Sequence, residues 1–569
     1  MKNGLSPRIA IVGTGTLEHV PKLLAARCAA YGIHPHWYVA PYQQYQQEVL
    51  NPASGLYAFA PDLLLILVDT PTLLQPREET VYRLSVSSRR RVARAAATEL
   101  IELVTTVAER TRSLIVVHNL EVPSYPPLGI LESKQEFGII DMVRWVNRTL
   151  ERSFCGEPRV FVFDYDGFLS RVGKQQAKDD RWYYLADMRL SPGVWSQLGD
   201  EYVRYLLALY GRTKKCLVVD LDNTLWGGVV GEDGFEGIQL GSTPPGNAFV
   251  AFQRSLLALF ERGILLAINS HNNPAEALKV IRDHPAMVLR EKHIAAMAIN
   301  WDSKAENVRV IARELNLGLD SLVYLDDDPA QRLLVRQRVP EVEVVELPSD
   351  PAQYVRTLQQ FVGLDALQLT AEDRRRGVMY ATERRRRESK RQARSVQEFV
   401  ADLNIRVSMQ KADQFSMPRL AQLTQRTNQF HLTLARYTET ELTAWVTRSN
   451  VHLYAIQVAD RFGDQGISGA LGVARNDSHW DLALFLLSCR VLGKGIEEAV
   501  LGTLAHWARE AGSQELRCAY VPSEKNVVAR HFLEQAGFVC THHEETVQQW
   551  RLSLKQPLSP PACIEVLTA

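Results

Sequence analysis

The run KKCLVVDLDNTLWGG, Lys214–Gly228, constrains the chain more than any other feature. Its apolar stretch Cys216–Val219 reads as a buried strand leaving the core, and Asp220 and Asp222 follow it at once, with Thr224 just behind. A strand without polar residues is covered on both faces, as strands of parallel sheets are. Carboxylates at its far end then face the crevice where open α/β sheets bind their ligands.

The continuation supports such a sheet. Helix AFVAFQRSLLALFERG, strand ILLAINS, helix PAEALKVIRDH, strand AAMAINW, helix KAENVRVIARELN and strand SLVYLDDD alternate, and the unit ends near VEVVELP. Four features fall at or just past strand ends: Asp220 with Asp222, then Ser270, then Lys304, then Asp326, Asp327 and Asp328. Brought together, these carboxylates cannot all stay ionised without a cation, which predicts a hard divalent metal with oxygen ligands, magnesium. The lysine and hydroxyls would hold a phosphoryl group against it. Acidic residues that merely cap the following helices are the plain alternative, and four such features in this order speak against it.

At 569 residues the chain is too long for one hydrophobic core and divides into three or four domains. Residues 1–205, opening with RIAIVGTGT, LEHVPKLLAARCAAYG and HPHWYVAPY, read as a parallel α/β domain of flavodoxin or SGNH type. GTGT lacks a Walker lysine and a nucleophilic serine, and His118 and Asn119 stand at another strand end, so this domain is expected to be catalytically silent and to serve docking, with an active hydrolase as the lesser alternative. Residues 213–362 form the carboxylate-bearing domain and 363–395 a basic helical linker or exposed arm, in its plain reading a solvated helix, whose Arg384–Arg387, Lys390, Arg391 and Arg394 could steer in an acidic carrier protein. Residues 396–555 mix strands and helices, and 556–569 form a flexible Pro-rich tail. The 65 basic residues balance the 65 acidic ones, so nothing global points to nucleic acid or a membrane. Seven cysteines without paired spacing, and the lack of a charged-then-apolar leader, fit a reduced cytoplasmic protein.

The motif set DLDNT, Ser270, Lys304 and the Asp326–Asp327 pair resembles the haloacid dehalogenase (HAD) superfamily of phosphohydrolases. The resemblance implies a HAD-like Rossmannoid domain in which Asp220 attacks phosphorus and Asp222 acts as acid and base. Ser270 and Lys304 bind phosphoryl oxygens, with Thr224 and Asn272 beside them, and magnesium is held by Asp220, Asp222, Asp326 and Asp327. The short spans from Thr224 to Ser270 and from Ser270 to Lys304 leave no room for a large cap. WGGVVGEDGFEGIQLG is expected to form a small hairpin flap turning at Gly231–Gly234.

CLVVDLDNTLWGGVVGEDG, TNQFHLTLARYT (Thr427–Thr438) and LLSCRVLGKGIEEAVL (Leu486–Leu501) together resemble the FkbH-type glyceryl transferase/phosphatases of polyketide biosynthesis. That resemblance implies 1,3-bisphosphoglycerate as substrate, loss of its phosphates, and delivery of a D-glyceryl unit as a thioester to an acyl carrier protein bearing phosphopantetheine. The SHNN stretch departs from the family pattern, in which a lysine and an aspartate often flank the asparagine. The C-terminal unit resembles an acetyltransferase (GNAT-like) α+β fold, whose turn amides at Gly493–Gly495 would cradle coenzyme A or a pantetheine phosphate. A pantetheine arm laid there would run along the preceding strand toward Cys489, a candidate acyl carrier, although a small buried strand residue is an equal reading. Cys216 is a second candidate and a more natural core residue. Asn428, Gln429 and His431 can bind glyceryl hydroxyls or pantetheine amides, or form an ordinary turn. Two rivals stay open: a phosphatase of another phosphorylated metabolite or protein, and a scaffold that binds carrier proteins.

Overall fold

The computed structural model describes residues 4–74, 78–392, 403–461, 463–476, 478–544, 546–558, 560–561 and 563–568. The chain forms two compact units, Met1–Leu209 and Tyr210–Ala569.

The first unit carries a parallel five-stranded sheet of β1 (Arg8–Gly13), β2 (His36–Val39), β3 (Leu63–Leu67), β4 (Leu114–His118) and β5 (Val160–Phe163). Their order, β2-β1-β3-β4-β5, is the flavodoxin-like doubly wound order. β3 and β4 are apolar runs with both faces covered, as parallel strands require.

In the second unit, β6 (Cys216–Val219), β7 (Leu265–Ser270), β8 (Ile294–Ile299), β9 (Leu322–Leu325) and β10 (Glu343–Val344) form a parallel sheet ordered β10-β9-β6-β7-β8. The pleat of β6 divides its side chains between two cores, Leu217 and Val219 on one face and Cys216 and Val218 on the other. Cys216 is thereby fixed as a core residue, and burial pushes its thiol well above the usual range.

The third sheet is mostly antiparallel. It holds β11 (Ile405–Lys411), β12 (Phe430–His431), β13 (Val451–Asp460), β14 (Gly463–Arg475), β15 (His479–Leu487), β16 (Glu515–Tyr520), β17 (Val539–His543), β18 (Gln548–Ser553) and β19 (Ile564–Thr568). Its path is β17-β18-β16-β15-β14-β13-β11-β19, with β12 attached to β15. β15 and β16 run parallel, and helix Ile496–Glu510 crosses between them, an acetyltransferase-like (GNAT-like) arrangement.

The basic linker is a helix, Ala371–Gln392, and its first half is no exposed arm. Tyr380 and Ala381 are buried, and Tyr380 joins the β6–β9 core. Asp373 is also buried and bonds to Gln422, Arg426 and Thr370. Arg384 is only 7% exposed and faces Glu291 at 3.6 Å, so it is not free to attract a partner. Arg385–Arg387, Lys390 and Arg391 lie where side chains are not described, and Arg394 lies outside the described residues.

Candidate active site

Every feature singled out in the β6–β10 domain lies at the carboxyl edge of its sheet. Asp220 follows β6, Ser270 ends β7, Lys304 opens the helix after β8, and Asp326 and Asp327 follow β9. Adjacent parallel strands in register deliver these ends to one place.

Lys304 is the hub. Its Nζ donates to Asp220 Oδ2 at 2.7 Å and to Asp326 Oδ2 at 2.6 Å, and all three residues are buried. Tyr324 donates its hydroxyl to the same Asp326 oxygen at 2.5 Å. Thr224 Oγ1 donates to Asp327 Oδ1 at 3.1 Å and accepts from the Asp327 amide at 3.2 Å, pinning the acidic pair to the DLDNT turn. Burial pushes the Asp220 carboxyl upward; Lys304 opposes this and Asp326 adds to it.

Asp220, Asp326 and Asp327 each offer an oxygen within 4.8 Å of the others. Asp220 Oδ1 is buried and has no hydrogen-bond partner. Leaving a buried carboxylate oxygen bare is costly, and three hard oxygen donors around it suit a divalent cation. These residues therefore fit a magnesium-type ion. Asp328 stands apart, its carboxylate capping the helix that begins at Pro329 through the Ala330 amide.

Asp222, expected as both acid/base and metal ligand, lies outside this three-carboxylate group. Its Oδ1 accepts from Trp226 Nε1 at 2.8 Å and from the Val230 amide at 3.2 Å, and its Oδ2 accepts from Asn272 Nδ2 at 2.8 Å. Asn272 Nδ2 also donates to Ser270 Oγ at 3.2 Å. The flap closes through an antiparallel pairing of Gly227 with Gln239, but its turn at Gly231–Gly234 is helical and not a tight hairpin turn. Residues Val230–Gly237 are helical with a break at Gly234, because Asp222 and Asp233 satisfy the first free amides, at Val230 and Val229. Trp226 and Tyr324 escaped sequence reasoning, although both sit within the motifs themselves, Trp226 four residues after Asp222 and Tyr324 two before Asp326.

A second group gathers around Cys489. Cys489, Asn428 and Gln429 line one cavity of about 220 Å3 between the β6–β10 domain and the C-terminal domain, together with Lys215, Arg376 and Tyr380. Asn428 Oδ1 accepts from Arg436, whereas Gln429 Oε1 is buried without a hydrogen-bond partner. His431 is turned away: it bonds within its own turn to Ala435 and Leu434, and burial pushes it down to about 3.

The glycine turn does not present itself as expected. Gly493 and Gly495 adopt φ of 70° and 83°, but the Gly493 amide already donates to the buried Glu497 carboxylate at 2.7 Å. The route along β15 is closed as well, since β12 pairs with Leu486 and Leu487 and fills the place beside the strand. The chain's own carboxylate and backbone occupy what was expected for a pantetheine arm.

In the first unit, Thr14 Oγ1 accepts from the Asp69 amide, His118 bonds to Tyr202 at 2.9 Å, and Asn119 bonds to Asp164 and Asp166. Burial pushes His118 down to about 3, so its imidazole is neutral. Each of these groups is engaged in holding strand ends.

The family description "FkbH, N-terminal domain" matches residues 8–201. Among solved structures, the N-terminal part of the protein BF1531 from Bacteroides fragilis, containing a phosphatase domain and complexed with Mg, is 29% identical. The match covers 64% of this chain and 96% of that one, with a TM-score of 0.59. A spermidine N-acetyltransferase from Vibrio cholerae in complex with CoA and spermine matches 26% of this chain and 95% of its own, at 14% identity and a TM-score of 0.22. A GNAT family acetyltransferase from Elizabethkingia anophelis with acetyl-CoA bound matches 26% of this chain and 97% of its own, at 11% identity and a TM-score of 0.20. No curated protein matches the chain. Residues 8–201 thus match an FkbH N-terminal domain, and the domain that follows them is HAD-like.

Proposed function

We propose that this enzyme is a magnesium-dependent phosphatase and glyceryl transferase. In this reading it takes 1,3-bisphosphoglycerate, removes its phosphates and loads a D-glyceryl unit as a thioester on the phosphopantetheine of an acyl carrier protein, for polyketide extender-unit or tetronate assembly. The observation that carries the phosphatase part is the bare, buried Asp220 Oδ1 among Asp326, Asp327 and Lys304. The magnesium complex of the Bacteroides fragilis relative supports the choice of metal. The seven unpaired cysteines suit a reducing cytoplasm.

Asp220, Asp326 and Asp327 would hold the magnesium, which would offset negative charge on a transferring phosphoryl group. Asp220 attacks phosphorus, a P–O bond forms, and the bond to the ester oxygen breaks. The leaving oxygen takes a proton from Asp222, which then removes one from water as that water releases phosphate from Asp220. Lys304 neutralises phosphoryl oxygens, and Ser270 donates its hydroxyl to one of them.

The ester at C3 needs this machinery, whereas the acyl phosphate at C1 is already activated. A thiol, Cys489 in this reading, forms a C–S bond to the carbonyl carbon. The C–O bond to phosphate breaks, the electron pair leaves with the phosphate, and the thiol proton ends on it as hydrogen phosphate. The carrier's thiol, entering by the cavity that Cys489, Asn428 and Gln429 line and not along β15, then forms a C–S bond to the acyl carbon as the bond to Cys489 breaks, and its proton passes to the Cys489 sulfur.

Intact mass of a phosphopantetheinylated carrier protein, incubated with enzyme, magnesium and 1,3-bisphosphoglycerate, tests this directly. A glyceryl adduct without phosphate is the expected product, and Asp220→Asn should leave the C3 phosphate in place. An unmodified carrier alongside released phosphate would remove the transferase half for that substrate and leave a plain phosphatase.

A further inference from the structure

The cavity around Cys489 is built for more than a thiol. Cys489 Sγ and the Tyr380 hydroxyl are hydrogen-bonded at 2.8 Å, and Tyr380 is only 4% exposed, so its phenol has to find a partner inside. The Asn316 side-chain amide fixes the Cys489 carbonyl at 2.9 Å. Lys215 donates to the Arg426 carbonyl at 2.8 Å, and burial pushes its ammonium down to about 8. Arg376 reaches Asp373 only at 3.7 Å.

The lining is unbalanced in charge. Lys215, Arg376, Arg426 and Lys525 face the cavity against Asp320 and Glu524. Lys525 and Asp320 neutralise each other as an ion pair, and Arg426 is paired with the buried Asp373, which leaves Lys215 and Arg376 against Glu524. Cations gathered in a partly desolvated recess attract an anion more strongly than the same charges on an open surface.

This cavity is also remote from the aspartates. Lys215 precedes β6 and Asp220 follows it, so at about 3.3 Å per residue the two centres stand about 17 Å apart along one strand. Neither can act on a group held at the other.

We infer that the cavity is a second anion site, in which Lys215 and Arg376 hold the phosphate group of a small phosphorylated ligand beside Cys489, and Tyr380 positions the sulfur. The inference rests on the acyl-transfer reading and adds to it the site and its residues. It also separates the chemistry in space: a phosphorylated group taken up at Cys489 keeps its phosphoester until it is carried to Asp220.

The test uses the full chain, inorganic phosphate as the probe, and iodoacetamide alkylation of Cys489 followed by peptide mass. Phosphate at constant ionic strength should slow alkylation of Cys489 about tenfold, the worth of one charge-assisted hydrogen bond, while the exposed Cys155 and Cys563 react at an unchanged rate. Lys215→Met and Arg376→Gln should each raise the phosphate concentration needed for protection about tenfold. Tyr380→Phe should change the unprotected alkylation rate and leave that concentration alone. Equal alkylation of the wild type with and without phosphate overturns the inference whether or not the variants fold. Acetyl phosphate separates the two claims. An acetyl adduct on Cys489 without phosphate protection keeps the acyl-transfer reading and removes the anion site, and protection without an adduct does the reverse.

Discussion

Asn272 Nδ2 lies 2.8 Å from Asp222 Oδ2, and the same nitrogen donates to Ser270 Oγ at 3.2 Å. One amide thus fixes two groups that need a common orientation toward a phosphoryl ester. Asn272 is 3% exposed, so water does not replace its hydrogen bonds when the side chain is removed. A hydrogen bond to a charged group is worth about 1.5–3 kcal/mol, so Asn272→Ala should lower kcat for p-nitrophenyl phosphate by about 10- to 100-fold. Its KM for magnesium should move little, because Asn272 touches none of the three carboxylates that fit the metal. A loss confined to magnesium affinity would contradict this role.

Lys304 sets up a different dependence, on metal. Its ammonium stands between the buried Asp220 and Asp326 carboxylates. Replacing it by methionine leaves two carboxylates facing each other in low dielectric, and breaking a buried pair in this way costs about 3–5 kcal/mol. Lys304→Met should therefore melt well below the wild type in EDTA. Excess magnesium should recover part of the difference, since a divalent cation can neutralise the same carboxylates. A variant whose melting temperature ignores magnesium would separate Lys304 from the metal site.

How far the sequence foretold this arrangement follows from the length scale of each feature. Asp220, Ser270, Lys304 and Asp326 were legible because a parallel sheet forces its strand ends to one edge, so order along the chain implies convergence. Lys215 and Tyr380 were not. Tyr380 meets Cys489 because helix Ala371–Gln392 lies against the sheet, and the helix's composition, dominated by arginines, conceals the buried Asp373, Gly377 and Tyr380 on one face; Lys215 shares their cavity through the packing of the C-terminal domain on the start of β6. The closed route along β15 depends on β12, a pairing of two residues that no periodicity announces. The helical turn at Val230 was read as a hairpin because its caps, Asp222 and Asp233, are side chains whose targets appear only in three dimensions.

Asp373 fastens that helix to the C-terminal domain and gives a stability dependence on pH. Burial alone would raise its carboxyl; Arg426 and Arg376, with the Gln422 amide, overcome this and hold it at about 2. The folded value lies below the unfolded one, so the contribution is fully present above the unfolded pKa and is lost as pH falls through the folded one. A shift of this size is worth about 2 kcal/mol at neutral pH. Asp373→Asn should be less stable than wild type by about that amount at pH 7, and by roughly half of it near pH 3, read from urea denaturation at both values. An unchanged difference at the two pH values would show that Asp373 acts through packing and not through its charge.

The same helix offers a test in which two ordinary effects oppose each other. Gly377 lies within it, and in an exposed helix Gly→Ala is stabilising by about 1 kcal/mol. Here an added Cβ would overlap the ring of Phe260. That ring is 5% exposed and meets His293 edge-on at 5.1 Å, so it has no open space to retreat into. Overpacking of this kind costs about 1–3 kcal/mol, which outweighs the gain in helix propensity. Gly377→Ala should therefore destabilise the protein. Phe260→Leu, which alone leaves a small void, should recover part of that loss in the double variant, giving a negative interaction energy of about 1 kcal/mol in a double-mutant cycle. Additive losses would mean that the helix shifts away from Phe260 rather than pressing on it, and the cavity lining at Tyr380, one turn further along, would move with it.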